Sequence, residues 1–142
     1  MEIHVLTETT AEVANFFDHH FTEYSKKIIG RKSNYKQHIF TAHKDNKLIG
    51  ALRCDMMWSV VHIDLVIVEP EHRNQGVGTL LFNKVQDLNA SQITVETFEF
   101  QALKYWLDKG FKVDFMRDGY DGHKLYYLSK IKCPENIFNA TQ

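Results

Sequence analysis

The chain has 142 residues, 44% hydrophobic and 13% aromatic, with 17 Lys plus Arg against 18 Asp plus Glu. That length suits one domain burying roughly two-thirds of its unfolded surface. The near-zero charge argues against nucleic acid as the main partner, because such binding draws on a strong basic field. No apolar run reaches about 18 residues, so no membrane span is expected.

Residues 2–7 read as a short first strand. Met1-Glu2-Ile3-His4 lacks the charged-then-apolar pattern of a secretory signal. Residues 10–29 read as a helix with Val13, Phe16, Phe17, His20, Phe21 and Tyr24 on one face. Lys26, Lys27, Arg31, Lys32 and Lys36 read as a solvated helix end and loop, where basic side chains suit the helix dipole. His19 and His20 splay apart on a helix and lack His-x-x-x-His or carboxylate spacing, so no metal is expected. Residues 30–35 are a break. Residues 38–43 and 47–57 alternate as a hairpin joined at Asp45-Asn46. A strand follows at 60–68, a central helix at 77–88, a strand at 92–98, a helix at 101–109, and a last hairpin from 111–117 and 123–130. The domain is expected to span 1–133, with 134–142 a loosely held tail. Cys54 and Cys133 lie far apart without Cys-x-x-Cys spacing, as expected of reduced thiols in a cytoplasmic protein. Asn139-Ala140-Thr141 matches a glycosylation acceptor, which means nothing without a secretion signal.

The strand at 60–68 runs into Val68-Glu69-Pro70-Glu71-His72-Arg73-Asn74-Gln75-Gly76-Val77-Gly78-Thr79 and then the central helix. A strand feeding a glycine-rich turn that opens a helix builds an anion site, since backbone N–H groups and the helix N-terminus converge there. Gly76 and Gly78 remove Cβ atoms from the approach, and Arg73 supplies a planar donor fork suited to phosphate oxygens. The dinucleotide fingerprint needs a further glycine where Leu81 stands, and a Walker A loop needs Gly-Lys-Ser/Thr where Gly78-Thr79-Leu80 stands.

What remains, Arg73-x-x-Gly76-x-Gly78 after Val68-x-Pro70, resembles the central motif of the GNAT superfamily of acetyl-CoA-dependent N-acetyltransferases. Thr97 to Phe111 resembles the family's later strand-to-helix element, which ends in Ala-x-x-x-Tyr-x-x-x-Gly-Phe; here Ala102 and Gly110-Phe111 match. Phe98-Glu99-Phe100-Gln101-Ala102 and Gly122-His123-x-x-Tyr126 resemble segments of one bacterial branch. The three segments cover residues from about 60 to 131. With meanders followed by β-α-β-α-β, they suggest a single-domain α/β (α+β) fold: a mixed, mostly antiparallel sheet of about 6–7 strands flanked by helices on both faces.

The resemblance implies acetyl-CoA as cosubstrate, held at Arg73, Asn74, Gln75, Gly76, Val77, Gly78 and Thr79. It implies that a backbone amide at Val66 or Val68 meets the oxyanion, and that the pantetheine arm runs beside this strand. The acceptor would be a primary amine of a small molecule or peptide, with no nucleic acid, membrane or metal involved and a homodimer allowed. Such an amine, with a pKa of about 10.4, arrives protonated and needs a base. Alternation in His62-Ile63-Asp64-Leu65-Val66-Ile67-Val68 puts 62, 64, 66 and 68 on one face. Asp64 is the first candidate base and His62 the second; structurally, the two could equally anchor a loop and fill the core.

One departure stands out. The family's leaving-group tyrosine lies four residues before Gly-Phe, where this chain has Trp106, whose indole is no proton source. Tyr105, turned by about 100 degrees, reads as a packing residue. Tyr126 or Tyr127, water, or unaided departure of the thiolate are the alternatives. His123, at a hairpin corner beside the expected acceptor site, is a candidate to orient substrate or carry a proton, with ordinary hairpin structure the equal alternative. Two rival readings are a CoA-binding sensor with little turnover and a phosphate-binding module of another kind.

Overall fold

The computed structural model describes residues 1–32 and 35–132. The expected tail, Cys133 and Asn139 lie outside the described residues. The chain divides into two compact units, Met1–Asn34 and Tyr35–Gln142.

The first unit holds one helix, α1 (Ala11–Ile29). The Thr10 hydroxyl accepts from the Val13 amide at 3.2 Å and closes its first turn. Gly30, at φ 80°, ends it by donating to the Lys26 carbonyl at 2.9 Å. Residues 2–7, expected to be a strand, form none. Alternation at Ile3 and Val5 is a preference that becomes a strand only where a ladder satisfies the backbone, and none of the recorded pairings reaches this segment.

The second unit is one six-stranded sheet flanked by helices, in the order β1-β2-β3-β4-β6-β5. Its strands are β1 (Lys36–Lys44), β2 (Lys47–Met57), β3 (Val60–Val68), β4 (Gln92–Phe98), β5 (Lys112–Tyr120) and β6 (His123–Ile131). All pairs are antiparallel except β3–β4. Helices α2 (Val77–Gln86) and α3 (Leu103–Asp108) follow β3 and β4. Leu81, Phe82, Val85 and Trp106 from these helices pack with Leu52, Cys54, Val61, Ile63, Ile93, Val95 and Leu128 from the strands. Burial in that core pushes the Cys54 thiol up to about 11.

Two lysines, one on β6 and one just after it, hold the helix ends. Lys130 Nζ donates to the Lys109 carbonyl at 2.8 Å, and Lys132 Nζ to the Gln86 and Leu88 carbonyls at 2.6 Å each. The Lys109 and Gln86 carbonyls lie at helix C-termini, where open carbonyls need donors and a cation also meets the dipole.

The start of α2 is pressed onto the sheet at Gly50. A Cβ there would lie 3.1 Å from Val77 Cγ1 and 3.2 Å from the Ile67 carbonyl oxygen. Gly50→Val is therefore expected to destabilise the protein by about 1–3 kcal/mol, the usual result of overpacking. Urea unfolding reads this directly; an unchanged midpoint would show that the helix start can shift freely.

Candidate functional site

β3 and β4 run parallel only from Val60↔Gln92 to Ile63↔Val95. Beyond that pair β3 stays with β2 and β4 stays with β6, so the two strands part. A bulge sits at the same point: Cys54 pairs with Ile63 and Arg53 with Leu65, leaving Asp64 as the extra residue. Bulges bend a strand and increase its twist, which here steers β3 away from β4.

The bulge also corrects the expected alternation. Val61 and Ile63 face the helical layer, and after the extra residue so do Val66 and Val68, which pack against the core. Leu65 and Ile67 face the other way and are exposed. His62 and Asp64 do share a face, but Val66 and Val68 occupy the opposite one. Sequence alternation cannot register an inserted residue, so the expectation failed at the bulge.

The parted strands bound a cleft of about 1030 Å³. One wall is Asp64 to Val68, the end is Gly76 to Thr79, and the far wall includes Glu96, Phe98, Ala102 and Tyr105. The Glu69 amide donates to the Ile49 carbonyl at 2.8 Å, which sets the ladder phase. On that phase Ile67 turns its N–H and C=O toward β2, and Val66 and Val68 turn theirs into the gap. Consistently, the Val68 carbonyl accepts from Arg73 Nε at 3.1 Å.

The loop at the closed end is shaped by two left-handed residues, Asn74 (φ 59°) and Gly76 (φ 84°). They turn the chain so that the first, unpaired amides of α2 open at the cleft. Arg73 is tied to the strand end by its Nε, leaving the ends of its fork for a ligand. Gln75 is drawn back instead, its Nε2 donating to the Glu71 carbonyl at 3.0 Å. Amides, a guanidinium and absent side chains fit a pyrophosphate, and the volume matches a long ligand at the upper end of ligand pockets.

The candidate catalytic groups separate. Asp64 is engaged by Arg53, with Nε at 3.0 and 3.2 Å from its two oxygens and Nη2 at 2.8 Å from Oδ2. His62 has Nδ1 2.7 Å from Thr94 Oγ1 and Nε2 3.2 Å from Glu96 Oε1. Glu96 is the residue the sequence reading missed: it lines the cleft on β4, just past the last β3–β4 pair. A glutamate inside the alternating run Gln92 to Phe98 was the available signal, but only the parallel register brings it beside His62.

Tyr126 packs half-buried against the core, across β4 from Thr97, and does not line the cleft. Trp106 is buried edge-on to Phe82 (5.3 Å) and near Phe111 (5.1 Å). Tyr105, read as a packing residue, packs there too; both residues line the cleft, and the Tyr105 hydroxyl lies 3.1 Å from Thr79 Oγ1. The buried Thr97 hydroxyl accepts from the Ala102 amide at 3.1 Å and fixes how α3 leaves β4. His123 sits outside the cleft lining with Nδ1 2.8 Å from Glu99 Oε1. Partial desolvation raises the Glu99 carboxyl, but hydrogen bonds from His123 and the Lys124 amide outweigh it, leaving it below its ordinary value. No group of three or more metal-ligating side chains occurs among the described residues, and none of their helices is long and apolar enough to cross a membrane.

The sequence model of the acetyltransferase (GNAT) family matches residues 5–111. No curated protein matches the chain. Among solved structures, an acetyltransferase from Bacillus cereus superposes with a TM-score of 0.73 at 18% identity, over 91% of this chain and 98% of its own. The ribosomal-protein-S18-alanine N-acetyltransferase of Escherichia coli gives 0.62 at 15% identity, over 92% and 96%. Arabidopsis thaliana Naa50, solved with the bisubstrate analogue CoA-Ac-MVNAL, gives 0.59 at 22%, over 77% and 79%. At these identities the likeness concerns the fold.

The two loop glycines are expected to differ. Gly76→Ala forces a side chain into the left-handed region and costs about 1–2 kcal/mol. Gly78→Ala, whose Cβ would meet only Val68 Cγ2 at 4.0 Å, should leave stability equal or higher. Equal urea midpoints for Gly76→Ala and the parent would contradict this account of the loop.

Proposed function

This chain belongs to the GNAT acetyltransferase family, and from that premise we propose that it transfers an acetyl group from acetyl-CoA directly to a primary amine of a small molecule or peptide. The observation that carries the reading is the parting of β3 and β4 over a cleft that ends on the free first-turn amides of α2. In this reading Arg73 and the amides of residues 76–79 hold the pyrophosphate. Asn74 shapes the turn, and Gln75 braces it through Glu71. The pantetheine arm lies along Val66 and Val68, whose backbone N–H groups, turned into the gap, serve it and the developing oxyanion.

The base is assigned to Glu96, with His62 positioning it. Glu96 Oε1 is near His62 Nε2, while Oε2 carries no hydrogen bond from a described residue. Asp64, the first candidate from sequence, has both oxygens on Arg53 and is assigned to holding the bulge. Tyr105 takes the place of Tyr126 as proton donor to the departing thiolate, because its hydroxyl is in the cleft. The CoA-sensor reading rested on Trp106; with a phenol one residue away in the cleft, Trp106 no longer favours it.

Calorimetric titration with acetyl-CoA, CoA and ATP tests the ligand. Absence of CoA binding, or preference for ATP, would overturn the reading. Release of free thiol over an amine panel tests the reaction. Glu96→Gln should lower turnover at neutral pH by about 10²–10⁴-fold. That loss should shrink as pH nears the amine pKa of about 10.4, where the amine deprotonates itself. A pH-independent loss for Glu96→Gln, with a pH-dependent one for Asp64→Asn, would return the base to Asp64.

A further inference from the structure

Past Glu96 the far wall of the cleft becomes aromatic. Phe98 and Phe100 stack at 5.2 Å with an interplanar angle of 8°, and Tyr120 meets Phe98 edge-on at 5.3 Å. His123 meets Phe100 edge-on at 4.7 Å. Phe98 and Phe100 both line the cleft, yet Phe100 is 61% exposed and Tyr120 40% exposed. Flat side chains kept at the mouth of a cleft, outside the core, present a stacking surface.

The charges beside this surface are unevenly balanced. Asp64 is neutralised by Arg53, and both oxygens of Glu99 are taken by hydrogen bonds, Oε1 with His123 and Oε2 from the Lys124 amide. Glu96 has only His62 near one oxygen. Glu96 and Phe98 lie two residues apart on the same face of β4, roughly 7 Å from each other. One available carboxylate near a ring surface complements one ammonium borne on a flat apolar body. A polycation would need several such carboxylates.

Resting on the acetyltransferase reading, we infer that the acceptor is a monoamine whose nitrogen stands a few bonds from an aromatic ring, with Glu96 receiving the nitrogen and the Phe98–Phe100–Tyr120 surface receiving the ring. His123 is then a positioning residue: through Glu99 and its contact with Phe100 it holds that surface in place.

The test is calorimetric titration of CoA-saturated protein with 2-phenylethylamine, n-butylamine, spermidine and a short peptide, followed by acetylation of the same panel. The ring-bearing amine should bind and react best. Phe100→Ala should weaken its binding about 3- to 10-fold, the worth of one lost aromatic contact, with a smaller effect on n-butylamine. Phe100 is largely exposed, so folding is not at risk; Tyr120→Ala gives a second reading of the same surface. Acetylation of amines with spermidine, the peptide or n-butylamine preferred, or equal losses for all amines in Phe100→Ala, would overturn the inference and leave the acetyltransferase reading standing. Binding of 2-phenylethylamine without acetylation of any amine would overturn the acetyltransferase reading, and with it the assignment of that amine as acceptor.

Discussion

The site exists because one strand pair is not completed. β3 and β4 share only four residue pairs before a single extra residue, Asp64, bends β3 toward β2. Had the parallel ladder continued, the backbone groups of Val66 and Val68 would be spent on β4 and no cleft would remain. An unpaired N–H or C=O is unfavourable when buried, so such a gap persists only where something else fixes both walls. The Arg53–Asp64 ion pair holds the bent strand from its exposed face. The opposite wall is held by the β4–β6 ladder, which runs without a break from Gln92↔Ile131 to Phe98↔Leu125.

The helices that close the cleft are fixed at both ends by groups from the sheet. α3 begins where Thr97 accepts from the Ala102 amide and ends on Lys130. α2 begins tight against Gly50 and ends on Lys132. Between them, Phe82, Trp106 and Phe111 form one packed aromatic group. This arrangement explains the exchange at positions 105 and 106. A large indole at 106 fills the volume facing Phe82, and one helical step of about 100 degrees then carries the neighbouring ring to the cleft. The phenol reaches Thr79 from there. Its place follows from packing rather than from the motif spacing.

Much of this was legible in the sequence. Strands β2, β3 and β4 fall where composition and periodicity put them, and the glycine loop with the two later motif segments resembled the family whose model matches the chain. Local signals carried that information: turn residues at Asp45-Asn46 and glycines at a strand–helix junction. What stayed hidden was non-local. Ile3 and Val5 look like strand residues, but a strand also needs a neighbour. The bulge at Asp64 left no mark because a period-two pattern breaks silently when one residue is inserted. Glu96 and His62 are 34 positions apart and meet only through the β3–β4 register. Trp106 could be seen as a departure, yet whether Tyr105 compensated depended on the helix phase that the core imposes.

The distribution of charge across the exposed face then gives a physical ordering of the carboxylates. Asp64 is bound by a fork of three close contacts with Arg53, and holding a guanidinium suits a carboxylate to remain ionised and fixed. A base that takes up a proton from a substrate needs a lone pair that no cation already occupies. Glu96 meets that condition, and a neutral His62 meets it poorly, since Thr94 and Glu96 lie against both of its nitrogens. The two acids near the point where β3 and β4 part therefore differ in what they are free to do, a difference the sequence did not show. Asp64 is held at the opening by Arg53, and under the proposed reading Glu96 is the carboxylate left to act there.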